Sequence, residues 1–287
     1  MKNVKRIAVL AMMCCCVFAF TSCQKDGMYK PKKRIAEISL QENGGDTKVV
    51  EKWTWSKGLL SQINYVDDEY IATFEYDGKQ ISKVVTSTGE SLTFVYDGKY
   101  IQSATIADGE DVVAEYTYKH NDDHLISGID AEVSTDFNVK TTRLAQLANR
   151  FITPAIAEQQ NSIMTKAKGK YKVSQTFTYD GKNIVSSHTE YSTGGKYDTE
   201  YTYTEYNNPF YHYFEFSAEN MSLNALSGST TTNNIISTQT DIVEVTYPKV
   251  DGKFPTQATY VYTTKQHVGN FDNNYANGTD NYFYVYE

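Results

Sequence analysis

The densest set of groups able to ligate, move protons or attack in this chain is His120-Asn121-Asp122-Asp123-His124. Two imidazoles and two carboxylates could hold a metal ion such as zinc. Adjacent turn residues rarely converge on one point, however, and this run sits between Tyr116-Thr117-Tyr118 and Leu125-Ile126, where a hairpin loop is expected. The reading is a lengthened loop, with no metal site and no cofactor. Asp272-Asn273-Asn274-Tyr275-Ala276-Asn277-Gly278 has the outline of a calcium loop, but Ala276 stands where an oxygen ligand belongs and the distal Glu is missing. Asn277-Gly278 reads as a turn instead. His188, His212 and His267 lie in separate segments without a nucleophile motif, and Asp67-Asp68-Glu69 is contiguous, as in a solvated turn, not opposed across a cleft. No catalytic residue is assigned, so the chain reads as non-enzymatic, with an envelope hydrolase as one alternative. Trp53 and Trp55 share a strand face if 51–56 is extended. Paired indoles stack sugar rings, which makes them candidate ligand contacts, although their place in a repeat described below favours core packing.

The cysteines point to a different chemistry. Lys2, Lys5 and Arg6 precede an uncharged run of 14 residues, Ile7 to Phe20, and Thr21-Ser22 supplies small residues before Cys23. The run is shorter than the ~20 residues of a membrane-spanning helix and follows the grammar of a signal peptide. Phe20-Thr21-Ser22-Cys23 resembles the lipobox of bacterial lipoproteins, with Phe20 in the usual leucine place. The resemblance implies cleavage after residue 22, acylation of Cys23 by palmitate-type chains, and a lipidated linker over 23–33. Cys14, Cys15 and Cys16 would leave with the signal, so Cys23 would be the sole cysteine and no disulfide could form. Gln24-Lys25-Asp26 is similar to the export signal of Bacteroidota lipoproteins, which implies the outer membrane, with the cell surface favoured over the periplasmic face.

Composition narrows the partners. Without the signal, 24 basic residues face 35 acidic ones, and an acidic body disfavours phosphate backbones, so nucleic acid is set aside. The membrane is expected as partner through the lipid anchor, with a glycan or an envelope protein as further partners. Twenty-four tyrosines against 5 prolines read as sheet.

A repeat of about twenty residues organises the rest. Phe74-Glu75-Tyr76-Asp77-Gly78-Lys79-Gln80-Ile81 recurs from Phe94 to Ile101 and from Phe177 to Ile184, with weaker relatives at Trp53-Thr54-Trp55, Tyr116-Thr117-Tyr118, Tyr201-Thr202-Tyr203 and Val250-Asp251-Gly252-Lys253. Each copy reads as a hairpin closed by a two-residue turn at Asp-Gly, which would pair Tyr76 with Lys79, Glu75 with Gln80 and Phe74 with Ile81. Glycines 78, 89, 98 and 109 then separate strands of ordinary length, and strands joined by tight turns are antiparallel neighbours. One face is apolar and one wet, as Leu92-Phe94-Tyr96 alternates with Thr93-Val95-Asp97.

The apolar face needs a cover. Leu144, Leu147, Ala148, Phe151 and Ile152 recur at helical spacing, Thr153-Pro154 reads as a cap with proline at the first position, and Ile156, Ile163 and Met164 continue toward Gly169. The expected fold is mainly β: a curved antiparallel meander of hairpin repeats, as one domain over 34–287, with a helical insertion at about 141–168 packed on the apolar face. Thr230 to Thr240 reads as a long exposed loop.

The Tyr-Asp-Gly-Lys cores are similar to the YD-type repeats of bacterial surface and toxin-shell proteins, with Lys79, Lys99 and Lys182 and a following Ile replacing that family's Arg-Leu. Lipobox and repeats together resemble an uncharacterised family of Bacteroidota lipoproteins with a porin-like fold, over roughly residues 50 to 287. The resemblance implies a porin-like or half-barrel sheet and brings no known activity. The expected function is a lipid-anchored, non-catalytic binding or structural module of the cell envelope, with surface glycan binding or an outer-membrane barrel as alternatives. Mean hydropathy of −0.52 disfavours the barrel.

Overall fold

The structure, a computed structural model, describes residues 31–66, 70–134, 170–192, 194–210, 220–222, 230–232, 236–268 and 271–287. Cys23 with its signal, the helix expected at 141–168, Asp67-Asp68-Glu69 and His212 lie outside the described residues. Nine strands precede that segment: β1 (Ile35–Glu42), β2 (Thr47–Ser56), β3 (Leu59–Tyr65), β4 (Tyr70–Asp77), β5 (Gln80–Thr86), β6 (Glu90–Asp97), β7 (Tyr100–Asp108), β8 (Asp111–His120) and β9 (Ile126–Ser134). Nine follow: β10 (Lys170–Asp180), β11 (Asn183–Tyr191), β12 (Lys196–Glu200), β13 (Tyr203–Asn207), β14 (Asn220–Ser222), β15 (Thr230–Thr232), β16 (Ile236–Asp251), β17 (Phe254–Val268) and β18 (Phe271–Tyr286). Sixteen of them form one open antiparallel sheet, running from β12 in reverse chain order to β1 and then through β18, β17 and β16 to β15. Strands β13 and β14 pair separately.

The meander is as expected, but the hairpin register is not. Asp77 pairs with Gln80 and Tyr76 with Ile81, after which Ser82 is left over and Glu75 meets Lys83. Gly78 and Lys79 are thus the turn, and Gly78 at φ +62° takes the first central position, the glycine place of a type II′ turn. The same single-residue bulge recurs at Ser61, Gln102, Ser127, Val185 and Thr256. It has a physical reason in the side chains. Ile81 and Val84 are both buried although three positions apart, and a period of two can place both inward only if the strand gains a residue between them.

A bulge interrupts the ladder and leaves a carbonyl to be satisfied. The repeat tyrosine supplies the donor from the adjoining hairpin. Tyr76 donates its hydroxyl to the Leu60 carbonyl (2.7 Å), Tyr96 to Ile81 (3.0 Å), Tyr179 to Ile126 (2.8 Å) and Tyr203 to Ile184 (2.7 Å). Tyr286 does the same at Pro255. Each acceptor is the residue just before a bulge, so the tyrosines before Asp77-Gly78, Asp97-Gly98 and Asp180-Gly181, together with Tyr203 and Tyr286, each stitch their strand to a neighbouring hairpin. Three contributions of about 1 kcal/mol each would already be a sizeable part of a domain's net stability.

Two segments differ from expectation. Thr230–Thr232 is a strand paired with Ser237–Gln239, because a Thr- and Ile-rich stretch suits a ladder better than a loop. Asn277 and Gly278 are not a turn but lie within β18, opposite Thr263 and Tyr262. A Cβ at Gly278 would overlap Cζ and the hydroxyl oxygen of Tyr262, so the glycine there makes room for an aromatic side chain.

The sheet is curved, as residues 203–210 show. Tyr203 reaches Ile184 at the start of β11, while the Asn207 N–H donates to the Lys253 carbonyl (2.7 Å) in the turn between β16 and β17. Strand β11 stands ten steps from β1 and β17 two steps beyond it. In a flat sheet those twelve steps at ~4.8 Å would separate them by ~58 Å. Four residues of chain plus one tyrosine side chain reach at most ~25 Å, so the sheet must curl back on itself. The enclosed face carries one cluster of buried residues, among them Ile35, Ile63, Phe74, Leu92, Phe94, Ile129 and Val173. Lys52, Glu75, Thr93, Glu115, Lys119 and Lys172 occupy the exposed face.

Candidate functional site

Alternation places Glu51, Trp53 and Trp55 of β2 on the enclosed side, and the two tryptophans meet there at 6.3 Å between ring centroids with a 31° tilt. Trp53 is buried, and its indole N–H donates to Glu51 Oε2 at 2.9 Å. Phe210 lies 6.1 Å from Trp53 and edge-on to Tyr284, so the segment that bridges the curled sheet ends against this cluster. Trp55 is half-buried, donates to the Ile35 carbonyl at 2.8 Å, and carries the Arg34 guanidinium 5.6 Å from its ring. It fills the tyrosine position of the first hairpin and makes the equivalent stitch, here onto β1. The pair is thus part of the wall, with Trp53 in the core.

The His120–His124 loop closes on itself. Asn121 Oδ1 accepts from the Leu125 N–H (2.8 Å), the His124 N–H reaches the Asn121 carbonyl (2.9 Å), and His124 adopts φ +63°. Both imidazoles face Tyr100, His124 stacked at 4.5 Å and His120 tilted at 5.6 Å. Burial lowers the His120 pKa and the neighbouring His124 lowers it further, which favours the neutral form of His120 on this aromatic. Among the described residues no three His, Cys, Asp or Glu side chains are grouped so as to hold a metal ion.

His188 carries a network that sequence spacing did not reveal. Its Nδ1 lies 2.6 Å from Asp198 on β12 and its Nε2 3.1 Å from Glu190, which also pairs with Lys196. The Asp198 hydrogen bond, then that of Glu190, raises the His188 pKa. Glu190 shares the His188 face two residues along β11, whereas Asp198, ten residues on, arrives only through the β11–β12 pairing. Ser187, the adjacent hydroxyl, is buried and bonds the Tyr201 hydroxyl at 3.1 Å. The imidazole and the hydroxyl thus stand on opposite faces, and the network serves a sheet edge, where charges discourage further strand pairing.

The enclosed side also holds uncharged polar groups. The Tyr118 and Tyr171 hydroxyls and both amide atoms of Gln175 are buried without a hydrogen-bond partner. Burial pushes the pKa of Tyr118 and Tyr171 upward, with Tyr116 contributing to both, so these phenols stay neutral. Register places Tyr118 and Gln175 on either side of Ile129. Such groups can donate and accept but offer no charge, and each costs about 1–3 kcal/mol while unpaired.

No protein-family model matches the chain, and no curated protein matches it. Among solved structures it is similar to a porin-like protein from Bacteroides uniformis at 13% identity, covering 92% of this chain and 100% of that one, with a TM-score of 0.47. A porin-like protein from Bacteroides vulgatus is similar at 11% identity, covering 89% of this chain and 99% of that one, with a TM-score of 0.45.

Proposed function

We propose that the protein is a lipid-anchored, non-catalytic component of the cell envelope, tethered to the outer membrane through Cys23, whose curled sheet acts as a binding or structural module toward a glycan or another envelope protein. The observation that carries this reading is the sidedness of the sheet. Its apolar face is enclosed, while Lys52 and Glu115 stand at mid-strand on the exposed face, with Glu75, Lys119 and Lys172 nearer the strand ends. A barrel immersed in lipid has the reverse arrangement, since a basic side chain at the bilayer midplane costs about 2–4 kcal/mol. A sheet of this kind sits in water beside a membrane, and two or more acyl chains hold it there stably.

The non-catalytic part of the reading draws on the described polar clusters. His188 is committed to two carboxylates at a strand edge, and the buried phenols and Gln175 are neutral donors and acceptors. Metabolic labelling with an alkyne palmitate tests the anchor: the wild-type chain takes up label and Cys23→Ala does not. Wild-type protein without label, isolated intact from membranes, would overturn it. Protease shaving of whole cells reads the side, with cleavage expected for surface display.

A further inference from the structure

The two rims of the sheet differ in charge. Strand order places the turns Lys57-Gly58, Gly78-Lys79, Gly98-Lys99, Gly181-Lys182 and Gly252-Lys253 on one rim. All five lysines are exposed. On the opposite rim the described turns carry Asp46 and Glu110, flanked by Asp108 and Asp111, and no lysine, the lysines at that end being the strand residues Lys48, Lys170 and Lys196. A chain that is acidic overall thus gathers its turn lysines at one end.

The chain enters the fold at that same end. Ile35 pairs with Tyr286, and the Glu287 N–H donates to the Arg34 carbonyl at 2.9 Å, so both termini of the described domain lie on the lysine rim. Cys23 is twelve residues before Ile35, and that length of chain spans at most ~40 Å. Lys32, Lys33 and Arg34 add basic groups at the entry point, with Lys33 paired to Asp251 and its ammonium 5.6 Å from the Tyr286 ring.

We infer that this rim docks against anionic headgroups of the bilayer that holds the acyl chains, so that the lysine turns face the membrane and the acidic rim faces away. Asp77, Asp97, Asp180 and Asp251 accompany the lysines, as do Asp122 and Asp123 in the longer loop and Glu287, whose carboxylate lies 3.8 Å from Arg34. Geometry decides between the signs. Each of the four hairpin aspartates is the last strand residue and has a short side chain, whereas each lysine stands in the turn and its four-carbon stem carries the ammonium outward. Screening over about 8 Å weakens the contribution of the more distant charge at a surface, and basic groups beside an anionic leaflet attract it individually. The acyl tether holds the rim at high effective concentration, so weak attraction suffices to orient it.

This inference rests on the proposed anchoring, and two experiments keep them separable. Lipidated full-length protein is reconstituted into vesicles of phosphatidylglycerol and phosphatidylethanolamine, or of phosphatidylcholine alone, and lysine acetylation is followed by mass spectrometry. Lys57, Lys79, Lys99, Lys182 and Lys253 are expected to react about fivefold more slowly on the anionic vesicles, with protection lost in about 0.5 M salt, while Lys52 and Lys172 are unchanged. Equal reactivity on both vesicle types overturns the docking and leaves the anchor standing. The Cys23→Ala chain, which cannot be acylated, is then sedimented with the anionic vesicles: salt-sensitive binding that is lost when the five turn lysines are replaced by glutamine supports the rim independently of acylation. Absence of that binding, or binding unchanged by the five substitutions, contradicts it.

Discussion

Two Tyr→Phe substitutions should move stability in opposite directions. Tyr76 donates to the Leu60 carbonyl at 2.7 Å, beside the bulge at Ser61, whereas the Tyr118 hydroxyl is buried without a partner. Removing the Tyr76 hydroxyl forfeits a hydrogen bond worth a net ~1 kcal/mol and strands a carbonyl already displaced from the ladder, so Tyr76→Phe should cost about 1–2 kcal/mol. Tyr118→Phe removes only a desolvated hydroxyl and should stabilise by up to about 1–2 kcal/mol. The sites are far enough apart to be independent, and the predicted gap between the two variants is about 2–3 kcal/mol. Urea unfolding reads this as midpoints shifted to opposite sides of wild type at an unchanged slope, and a thermal scan reads it at about 2–4 °C per kcal/mol for a chain of this size. Combining Tyr76→Phe with Tyr179→Phe and Tyr203→Phe should accumulate roughly 3–6 kcal/mol, since each stitches a different pair of hairpins. Equal losses for Tyr76→Phe and Tyr118→Phe would refute the stitching argument, because ring packing alone would then explain both.

Gly278→Ala should destabilise by about 1–3 kcal/mol through a clash with the Tyr262 ring, and Tyr262→Ala in the same chain should recover part of the loss in a double-mutant cycle; independent, additive effects would contradict the packing. Burial holds the pKa of Tyr76, Tyr118, Tyr171, Tyr203, Tyr247, Tyr284 and Tyr286 above the ordinary 10. A raised folded-state pKa contributes stability that is complete below pH 10 and lost as pH climbs toward the folded value, so equilibrium unfolding should steepen above about pH 10, and a flat profile to pH 12 would count against the buried phenols. His188 is likewise raised, so its contribution to holding β12 is full below about pH 6.5 and fades as pH rises through the higher folded value. Amide exchange of Lys196–Glu200, corrected for intrinsic pH dependence, should therefore be slower at pH 5.5 than at pH 8, and His188→Gln should remove the difference.

Much of the architecture was written in local pattern. Asp-Gly and Thr-Gly turns at Gly78, Gly89, Gly98 and Gly109 gave an antiparallel meander, and all four glycines adopt positive φ. The Asp-Gly hairpins turn one residue later than the Asp-Gly pair suggests, and the signal for it lies in the Ile81/Val84, Leu60/Ile63 and Ile126/Ile129 spacings, all buried at an interval of three. Asn277-Gly278 looked like a turn because glycine has two uses, left-handed backbone and close approach, and only the opposing Tyr262 distinguishes them. The candidate site was less legible. Trp53 announced itself by type, but Phe210 reaches it only through the crossing of 203–210, and Asp198 reaches His188 only through strand pairing. Gln175 gave no sign at all, since a polar residue on a predicted apolar face becomes notable only when its amide is found buried.

Phase partition of the wild-type and Cys23→Ala proteins with a clouding non-ionic detergent tests the central claim most directly, because it separates a water-facing sheet on a lipid tether from a sheet embedded in lipid. The account predicts wild type in the detergent-rich phase and Cys23→Ala in the aqueous phase, folded and monodisperse without detergent. Cys23→Ala that still enters the detergent-rich phase, or that requires detergent to remain folded, would contradict it.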